Sequence, residues 1–295
     1  MARSLFYCAL AYAVALVAAI IAAELLHGLH PLWVALGADV VATLVVFGFS
    51  VAFDNSSLYD PYWSVAPVPL ALYFALQPSA ADSFGAARGV LVMVLVAAWA
   101  GRLTYNFLRG WGGLDHEDWR YVEIRGKTGR AYWPVSLLGI HLFPTLMVFA
   151  GCLPIYAVFS SGARALHLLD GVAAVVTAAA IAIEALADAQ LRRFRLRTDR
   201  RADEILETGL WAWSRHPNYL GEMLFWWGLW LFAIAAGPGH AWTAVGPAAI
   251  TLMFHVVSLR LLETRMLERR PAYAEHVRNV PAFVPYRIPR KKRAV

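Results

Sequence analysis

The stretch LLDGVAAVVTAAAIAIEALA, residues 168–187, runs directly into the polar sequence DAQLRRFR, residues 188–195. Its apolar part is about 20 residues long, the length that an α-helix needs to cross a hydrocarbon layer of roughly 30 Å. Similar runs recur along the chain. The sequence therefore predicts an all-α, polytopic membrane helix bundle of seven or eight spans, the third being short: 5–26, 32–53, 64–78, 86–108, 132–159, 168–187, 219–237 and 242–262.

The composition agrees with a membrane class, since 60% of the 295 residues are hydrophobic and only 16% are charged. Soluble domains usually contain about 25% charged residues. The first apolar run is too long for a secretory signal, and further spans follow it. Cys8 and Cys152 lie inside spans and indicate neither a disulfide framework nor a metal site. We expect one membrane domain over 1–295, with N-terminal spans to residue 108 and a C-terminal core over 132–286.

Lys and Arg cluster in three places: 109–131, 188–218 and the tail from Arg260 onward. The intervening segments near 79–85, 161–167 and 238–241 contain only Arg164. Because basic loops stay in the cytoplasm, the three clusters are predicted to be cytoplasmic, and eight spans would put the N-terminus beside them. The net charge of +6 then indicates topology and contact with lipid headgroups, and no nucleic-acid partner is expected.

Ionisable residues inside spans are costly and are candidates for function. On the fourth span Arg102, Tyr105 and Arg109 follow at i, i+3, i+7 and are predicted to share a face, beside Asn106. An Arg that snorkels to the headgroups is the alternative. The end of the sixth span carries a polar stripe, which is either a salt-bridged helix end or a groove for a phosphorylated ligand. Its members are Glu184, Asp188, Arg192 and Arg195.

The segment GLWAWSRHPNYLGEMLFWWG, residues 209–228, is the densest in polar groups. Pro217 suits the first turn of a helix, and Arg215 and His216 stand just before it, where unpaired backbone N–H groups favour anions. Glu222 lies one turn into the apolar run, where a neutral carboxyl can donate a hydrogen bond to a carbonyl oxygen. We interpret these converging groups as a functional site. One face of the helix is predicted to carry Asn218, Glu222 and Trp226.

The end of the eighth span adds Arg260, Glu263 and Arg265, followed by Tyr273 and VRNVPAFVPYRIP at 277–289. These aromatic residues and prolines either fold back over a cytoplasmic pocket or form an interfacial aromatic belt.

SRHPNYLGE at 214–222, Glu263 and PAYAEHVRNVPAFVPY at 271–286 together resemble the steroid 5-alpha-reductase and sterol reductase superfamily. DNSSLYDPYWSVAP at 54–67 and HEDWRY at 116–121 look most like its uncharacterised bacterial branch. The resemblance runs from about Asp54 to Tyr286. It implies a bacterial inner-membrane enzyme, expected to be a monomer, that uses NADPH at a cytoplasmic site. Its substrate would be a lipid-soluble molecule with a carbon–carbon double bond conjugated to a ketone.

The resemblance also implies roles for individual residues. Glu222 and Tyr105 match the pair that contacts the substrate carbonyl, and Tyr59 and Asp60 lie near the substrate-facing loop. Glu184 falls where the steroid enzymes tend to have asparagine, so its role stays open. The residues that would bind NADPH are Asn218, Asp188, Arg192, Arg195, Arg215, His216, Tyr219, Glu263 and Tyr273.

Two other functions fit parts of the sequence. Isoprenylcysteine and phospholipid methyltransferases have a similar RHPxYxG helix start and a later Glu, and bind S-adenosylmethionine. The pair Asn218 and Glu222 favours the reductase, because methyl transfer develops no oxyanion that a carboxyl would stabilise. A transporter or lipid-binding protein is the third alternative, but the chain shows no inverted repeat or paired broken helices.

Overall fold

A computed structural model describes residues 1–77, 87–162, 165–201 and 203–285. The predicted loop 79–85, Arg164 and the basic tail from residue 286 lie outside these residues. The described chain is a bundle of helices, which confirms the predicted fold class. Seven helical segments are long and apolar enough to cross a membrane: Ala2–Leu25, Pro31–Ala52, Ala87–Gly110, Trp119–Ser160, Leu168–Arg195, Pro217–Ala236 and Pro238–Arg269.

We number the α-helices in chain order. The N-terminal half contains α1 (Ala2–Leu25), α2 (Pro31–Ala52), α3 (Tyr62–Val65), α4 (Pro67–Ala75), α5 (Ala87–Gly110), α6 (Trp119–Thr128), α7 (Tyr132–Val135), α8 (Phe143–Gly151) and α9 (Leu153–Ser160). The C-terminal half contains α10 (Leu168–Arg195), α11 (Pro217–Ala236), α12 (Val245–Met253), α13 (Leu259–Arg269) and α14 (Tyr273–Asn279). Two π-helical turns, Ser136–Leu142 and Phe254–Ser258, lie within the long segments.

The predicted third span, 64–78, is represented by the short helices α3 and α4. They cover 14 residues, about 21 Å at 1.5 Å per residue. Just before them the Ser56 backbone N–H donates to Glu117, and at their far end Phe74 packs against Tyr156, whose hydroxyl contacts His30. Helices α3 and α4 therefore run from one end of the bundle to the other, although together they are shorter than the seven long segments.

One end of the bundle gathers the basic segments, and we call it the basic end. The Leu114 backbone N–H donates to Ser4 Oγ, which brings the N-terminus to the 109–131 segment. Arg192 Nη1 donates to the Arg109 carbonyl, which brings the end of α10 to the same place. The predicted placement of the N-terminus beside the basic loops is thus confirmed.

Helical structure extends beyond the predicted membrane spans in three places. The segment 109–131 is not wholly a loop, because α6 forms within it and leads directly into the next span. The α10 helix continues eight residues beyond 187 to Arg195, and the last helical segment continues beyond 262 to Arg269. In each case the helix extends past the apolar run into a charged sequence, since charged residues with straight side chains are good helix formers once they reach water.

Two glycines allow α10 and α11 to pack closely. An added Cβ at Gly221 would lie 2.7 Å from Glu184 Cβ, and one at Gly228 would lie 2.2 Å from Thr177 Oγ1. Small residues at such crossings let membrane helices approach backbone to backbone. This contact places the polar residues of α10 directly against those of α11.

Candidate functional site

A cluster of acidic groups lies between α5, α10 and α11 around a single guanidinium. Arg102 Nη2 lies 2.7 Å from Glu184 Oε1, and its Nη1 lies 3.0 Å from Asp188 Oδ2. Two amides complete the shell of Asp188, since Asn106 Nδ2 donates to Oδ2 at 3.0 Å and Asn218 Nδ2 to Oδ1 at 3.4 Å. We call these residues, together with Glu222, the carboxyl cluster.

Glu222 is the innermost member of the carboxyl cluster and is 4% exposed. Its two oxygens accept hydrogen bonds from indole N–H groups, Oε2 from Trp99 at 2.9 Å and Oε1 from Trp226 at 2.8 Å. The Trp99 ring stacks on Phe225 with ring centroids 4.6 Å apart, which fixes its orientation. Neutral donors therefore hold this buried carboxyl in apolar surroundings. A polar group fixed in such surroundings can stabilise charge that develops on a bound molecule.

Several polar atoms of the carboxyl cluster are buried without a hydrogen-bond partner. They are Glu184 Oε2, Asn218 Oδ1 and Arg102 Nε. Buried polar atoms in folded proteins are nearly always paired, so each such atom indicates a missing proton, water or ligand. Glu184 and Asp188 of the predicted stripe are thus joined through Arg102, whereas Arg192 bonds to the Arg109 carbonyl, and the carboxyl cluster retains unused hydrogen-bonding capacity.

A second cluster, the Glu263 cluster, lies at the start of α11. Arg215 Nε donates to Glu263 Oε1 at 2.6 Å, and His216 Nε2 lies 3.2 Å from the same oxygen. Arg215 Nη1 also donates to the carbonyls of Val277 and Val280. These bonds use the donors of Arg215 inside the protein, so Arg215 tethers the C-terminal segment to α11.

The backbone strengthens this tether. The N–H groups of Arg215 and His216 donate to the carbonyls of Pro281 and Ala282 at 2.9 and 3.0 Å. Tyr273 packs in the same cluster at 4% exposure, and burial, followed by the negative charge of Glu263, raises the pKa of its phenol above the usual range. Of the two alternatives for the segment after α13, these contacts favour the fold-back, since residues 277–282 lie against the start of α11.

Three further residues predicted to bind the cofactor lie around these clusters. Tyr219 is half-buried, stacks on His216 at 5.5 Å and packs on Phe254 at 4.6 Å. Arg192 and Arg195 follow Asp188 along α10 toward the basic end, and Arg195 is exposed. The described structure therefore brings seven of the nine predicted residues into two adjoining clusters or their direct contacts, while Arg192, which donates to the Arg109 carbonyl, and Arg195 lie outside them toward the basic end.

The structure does not bring Tyr105 to Glu222. Tyr105 is 60% exposed, and the guanidinium of Arg109 lies 5.1 Å from its ring centroid. The predicted common face of Arg102, Tyr105 and Arg109 is also wrong, since Arg102 points into the bundle while the other two point outward. Spacing of i, i+3 leaves two side chains about 60° apart around a helix, which is enough to separate an inward from an outward position.

Tyr59 and Asp60 are tied to other protein groups. Tyr59 is 2% exposed and its hydroxyl contacts Thr145 Oγ1 at 2.8 Å. Asp60 accepts a hydrogen bond from the Tyr121 hydroxyl and lies 3.5 Å from Arg120. Burial raises the pKa of Asp60 to about 6, against the opposing effects of Arg120 and Tyr121.

These contacts assign a structural role to the HEDWRY segment at 116–121. Asn55 Nδ2 donates to the carbonyls of Leu114 and His116, and the Asp118 backbone N–H donates to Ser57 Oγ at 2.8 Å. Glu117 accepts from the Ser56 backbone N–H at 2.8 Å. The segment thus caps the turn at 54–60 and holds it at the basic end.

A groove of about 490 Å³ lies on the face of α11 opposite Glu222. Glu222 and Asn218 are absent from its lining, so the groove and the carboxyl cluster are separate features. It is lined by Leu220, Met223, Leu224, Trp227, Thr251, His255 and the segment Pro281, Ala282, Phe283 and Val284.

Sequence reasoning missed three parts of the buried polar framework. Trp99 was overlooked, although it precedes Arg102 by three residues on the same helix. His141 is fully buried in a hydrogen-bonded network with Ser50 and Ser136. Asp39 lies mid-span and accepts from the Tyr62 hydroxyl at 2.9 Å. An ionisable residue inside an apolar run was the available signal for both His141 and Asp39.

The comparisons with known proteins cover most of the chain. A model of the family described as "Protein of unknown function (DUF1295)" matches residues 46–280. An uncharacterized protein of Schizosaccharomyces pombe (strain 972) is 28% identical over 285 residues, which cover 89% of this chain and 82% of that protein. No solved structure matches the chain. Since the family model spans well over half of its length, the chain belongs to the DUF1295 family.

Proposed function

We propose that this protein is an NADPH-dependent membrane reductase of the steroid 5-alpha-reductase type, which reduces a carbon–carbon double bond conjugated to a ketone in a lipid-soluble substrate. The observation that supports it best is the carboxyl cluster, where Glu222 lies buried beside Glu184 and two indole donors. A neutral carboxyl in such a site can stabilise the oxygen of an enone as it gains negative charge. The active end would face the cytoplasm.

The residues present fit a nicotinamide cofactor. Asn218 Oδ1 is a buried acceptor without a partner, and a carboxamide N–H group would supply its missing donor. Arg192 and Arg195 follow Asp188 at intervals of four and three residues on α10, so they would meet the phosphates nearer the basic end. Three of the five N–H donors of Arg215 are already used by Glu263 and two carbonyls, and in this proposal Arg215 holds the C-terminal segment over the site.

NADPH supplies the hydride when it is bound. The chain's own residues would position the substrate and stabilise the charge that develops on its ketone oxygen. Glu222 would donate a hydrogen bond to the ketone oxygen, and Trp99 and Trp226 keep its carboxyl in place. The apolar walls of α5 and α11 would exclude water, which strengthens every electrostatic contact at the reacting oxygen. A lipid-soluble enone would reach the bundle from the bilayer, where it partitions.

Cofactor binding is tested on the detergent-solubilised protein with NADPH and S-adenosylmethionine as separate probes. Binding of NADPH is expected. It is measured by energy transfer from tryptophan to the bound nicotinamide. Arg195→Ala should weaken NADPH binding by about 10- to 100-fold, because a charge-assisted contact contributes roughly 1.5–3 kcal/mol. The matched control is Arg193→Ala, an exposed neighbour outside the stripe, which should leave affinity unchanged. Binding of S-adenosylmethionine without binding of NADPH would refute the reductase.

Turnover is tested as oxidation of NADPH in the presence of a 3-oxo-4-ene steroid. Glu222→Gln should lower turnover about 100-fold while NADPH affinity survives, since one oriented donor contributes on the order of 3 kcal/mol. The resemblance implies an equal loss for Tyr105→Phe, whereas the exposure of Tyr105 predicts little change. Full activity of Glu222→Gln with any enone that is turned over would remove Glu222 from the mechanism.

A methyltransferase that uses S-adenosylmethionine is the second candidate. The Glu263 cluster favours it, because the Glu that follows the RHPxYxG helix start pairs here with Arg215 and His216. The same two-probe binding measurement decides between the two enzymes.

A further inference from the structure

The closest contact between α10 and α11 brings two carboxyl groups together. Besides its approach to Glu184, an added Cβ at Gly221 would lie 2.8 Å from the Ala180 carbonyl oxygen, so the two backbones are in direct contact there. Glu222 is the next residue, and the two carboxyl groups meet positions one turn apart on α5, since Trp99 donates to Glu222 and Arg102 pairs with Glu184. Both residues are buried, at 4% and 5% exposure. The pair is therefore closed to bulk water.

The donors around the pair do not suffice for two ionised carboxylates. Glu222 receives one indole N–H on each oxygen, and Glu184 Oε1 pairs with Arg102. Glu184 Oε2 has no donor at all. Arg102 also pairs with Asp188, so one positive charge faces three carboxyl groups. An uncompensated buried charge costs several kcal/mol, and two carboxyl groups in contact avoid that cost by holding a proton between them.

We infer that Glu184 and Glu222 share one proton across the α10–α11 contact, and that Glu184 thereby keeps Glu222 in the neutral form that donates a hydrogen bond. The proton supplies the donor that Glu184 Oε2 lacks. The charge of the cluster then falls by one, and the amide N–H groups of Asn106 and Asn218 offset part of the charge left on Asp188.

The second half of this inference rests on the proposed reduction, in which Glu184 is a positioning residue. It does not touch the ketone oxygen. It shares with Glu222 the proton that lies between the two carboxyl groups. When a carbonyl is bound, Glu222 would donate this proton in a hydrogen bond to the carbonyl oxygen. Glu184 thus receives a role at a position where the sequence left it open.

The shared proton is tested by infrared difference spectroscopy of the carboxylic acid C=O stretch, at about pH 8, above the pKa of about 6 of Asp60. Glu184→Gln and Glu222→Gln should each remove one carboxylic acid equivalent, and the double variant should remove no more. Bands from other acids are common to all samples and cancel. The control is Glu123→Gln, an ion-paired surface residue, which should not change the band.

Two outcomes would overturn the inference. If the band persists in Glu184→Gln, Glu222 holds its own proton without help. If neither variant changes the band, both groups are ionised. Glu184→Asp keeps a carboxyl at the contact and should therefore keep the carboxylic acid band. This variant tests the inference in the same way if Glu184→Gln does not fold.

Turnover separates this inference from the proposed function. Glu184→Gln should lower turnover more steeply as pH rises, with NADPH affinity unchanged, and Glu184→Asp should recover part of it. A shared proton in a protein that binds no NADPH would leave the carboxyl pair standing and refute the reductase. NADPH turnover by a protein in which Glu222 keeps its proton without Glu184 would support the reductase and refute the shared proton.

Discussion

The contact of α10 and α11 at Gly221 gives a prediction whose size can be worked from distances. Gly221→Ala places a Cβ 2.7 Å from Glu184 Cβ, while ordinary contacts begin at 3.4 Å, so the helices must separate by about 0.7 Å. The Ala180 carbonyl and the Glu184 backbone N–H, at 2.8 and 3.0 Å, cannot rotate away. Overpacking of this kind costs about 1–3 kcal/mol. We expect the free energy of unfolding to fall by that amount.

The matched control is Gly101→Ala on α5, where an added Cβ meets nothing within 4 Å. It measures the gain in helix propensity, at most about 1 kcal/mol, without the clash. Both variants are unfolded in detergent micelles by rising fractions of dodecyl sulfate, followed by tryptophan fluorescence. If Gly221→Ala is as stable as Gly101→Ala, the backbones are not in contact, and the placement of Glu184 against Glu222 fails with it.

Two further predictions concern buried charges. The raised pKa of Asp60, about 6 against a usual 3.8, means that its contribution to stability is full below about pH 4 and is lost as pH rises through 6. Asp60→Asn should therefore gain about 3 kcal/mol relative to wild type between about pH 4 and 7 in thermal unfolding scans, and a constant difference would contradict the burial of this carboxyl. Arg88 and Asp170 form a buried pair at 2.6 Å, so Asp170→Asn alone should cost about 3–5 kcal/mol of unfolding free energy. Arg88→Met with Asp170→Asn should recover much of that loss, whereas additive losses in the double variant would show that the pair is not the cause.

The clusters show which parts of a site a sequence can reveal. Glu222 and Asn218 were predicted from the rarity of polar residues in an apolar run, and the stripe from Glu184 to Arg195 from its spacing; both signals are local. The failure at Tyr105 has a physical cause. A membrane helix is apolar on its lipid face as well as its protein face, so hydrophobic periodicity does not fix its rotation about its own axis. Tyr105 could therefore be placed along α5 but not around it.

The sequence by itself determined that this is a helical membrane protein whose basic segments share one end, because run length and the positions of Lys and Arg are local properties of the chain. Only the tertiary structure decided that Glu184 packs against Gly221 beside Glu222, and that Arg215 holds the C-terminal segment by its carbonyls. It also decided that HEDWRY caps the turn at 54–60. Each of these contacts joins residues that are distant in the chain. They depend on how closely two helices approach and which faces they turn to each other, and that is set by packing of the whole bundle.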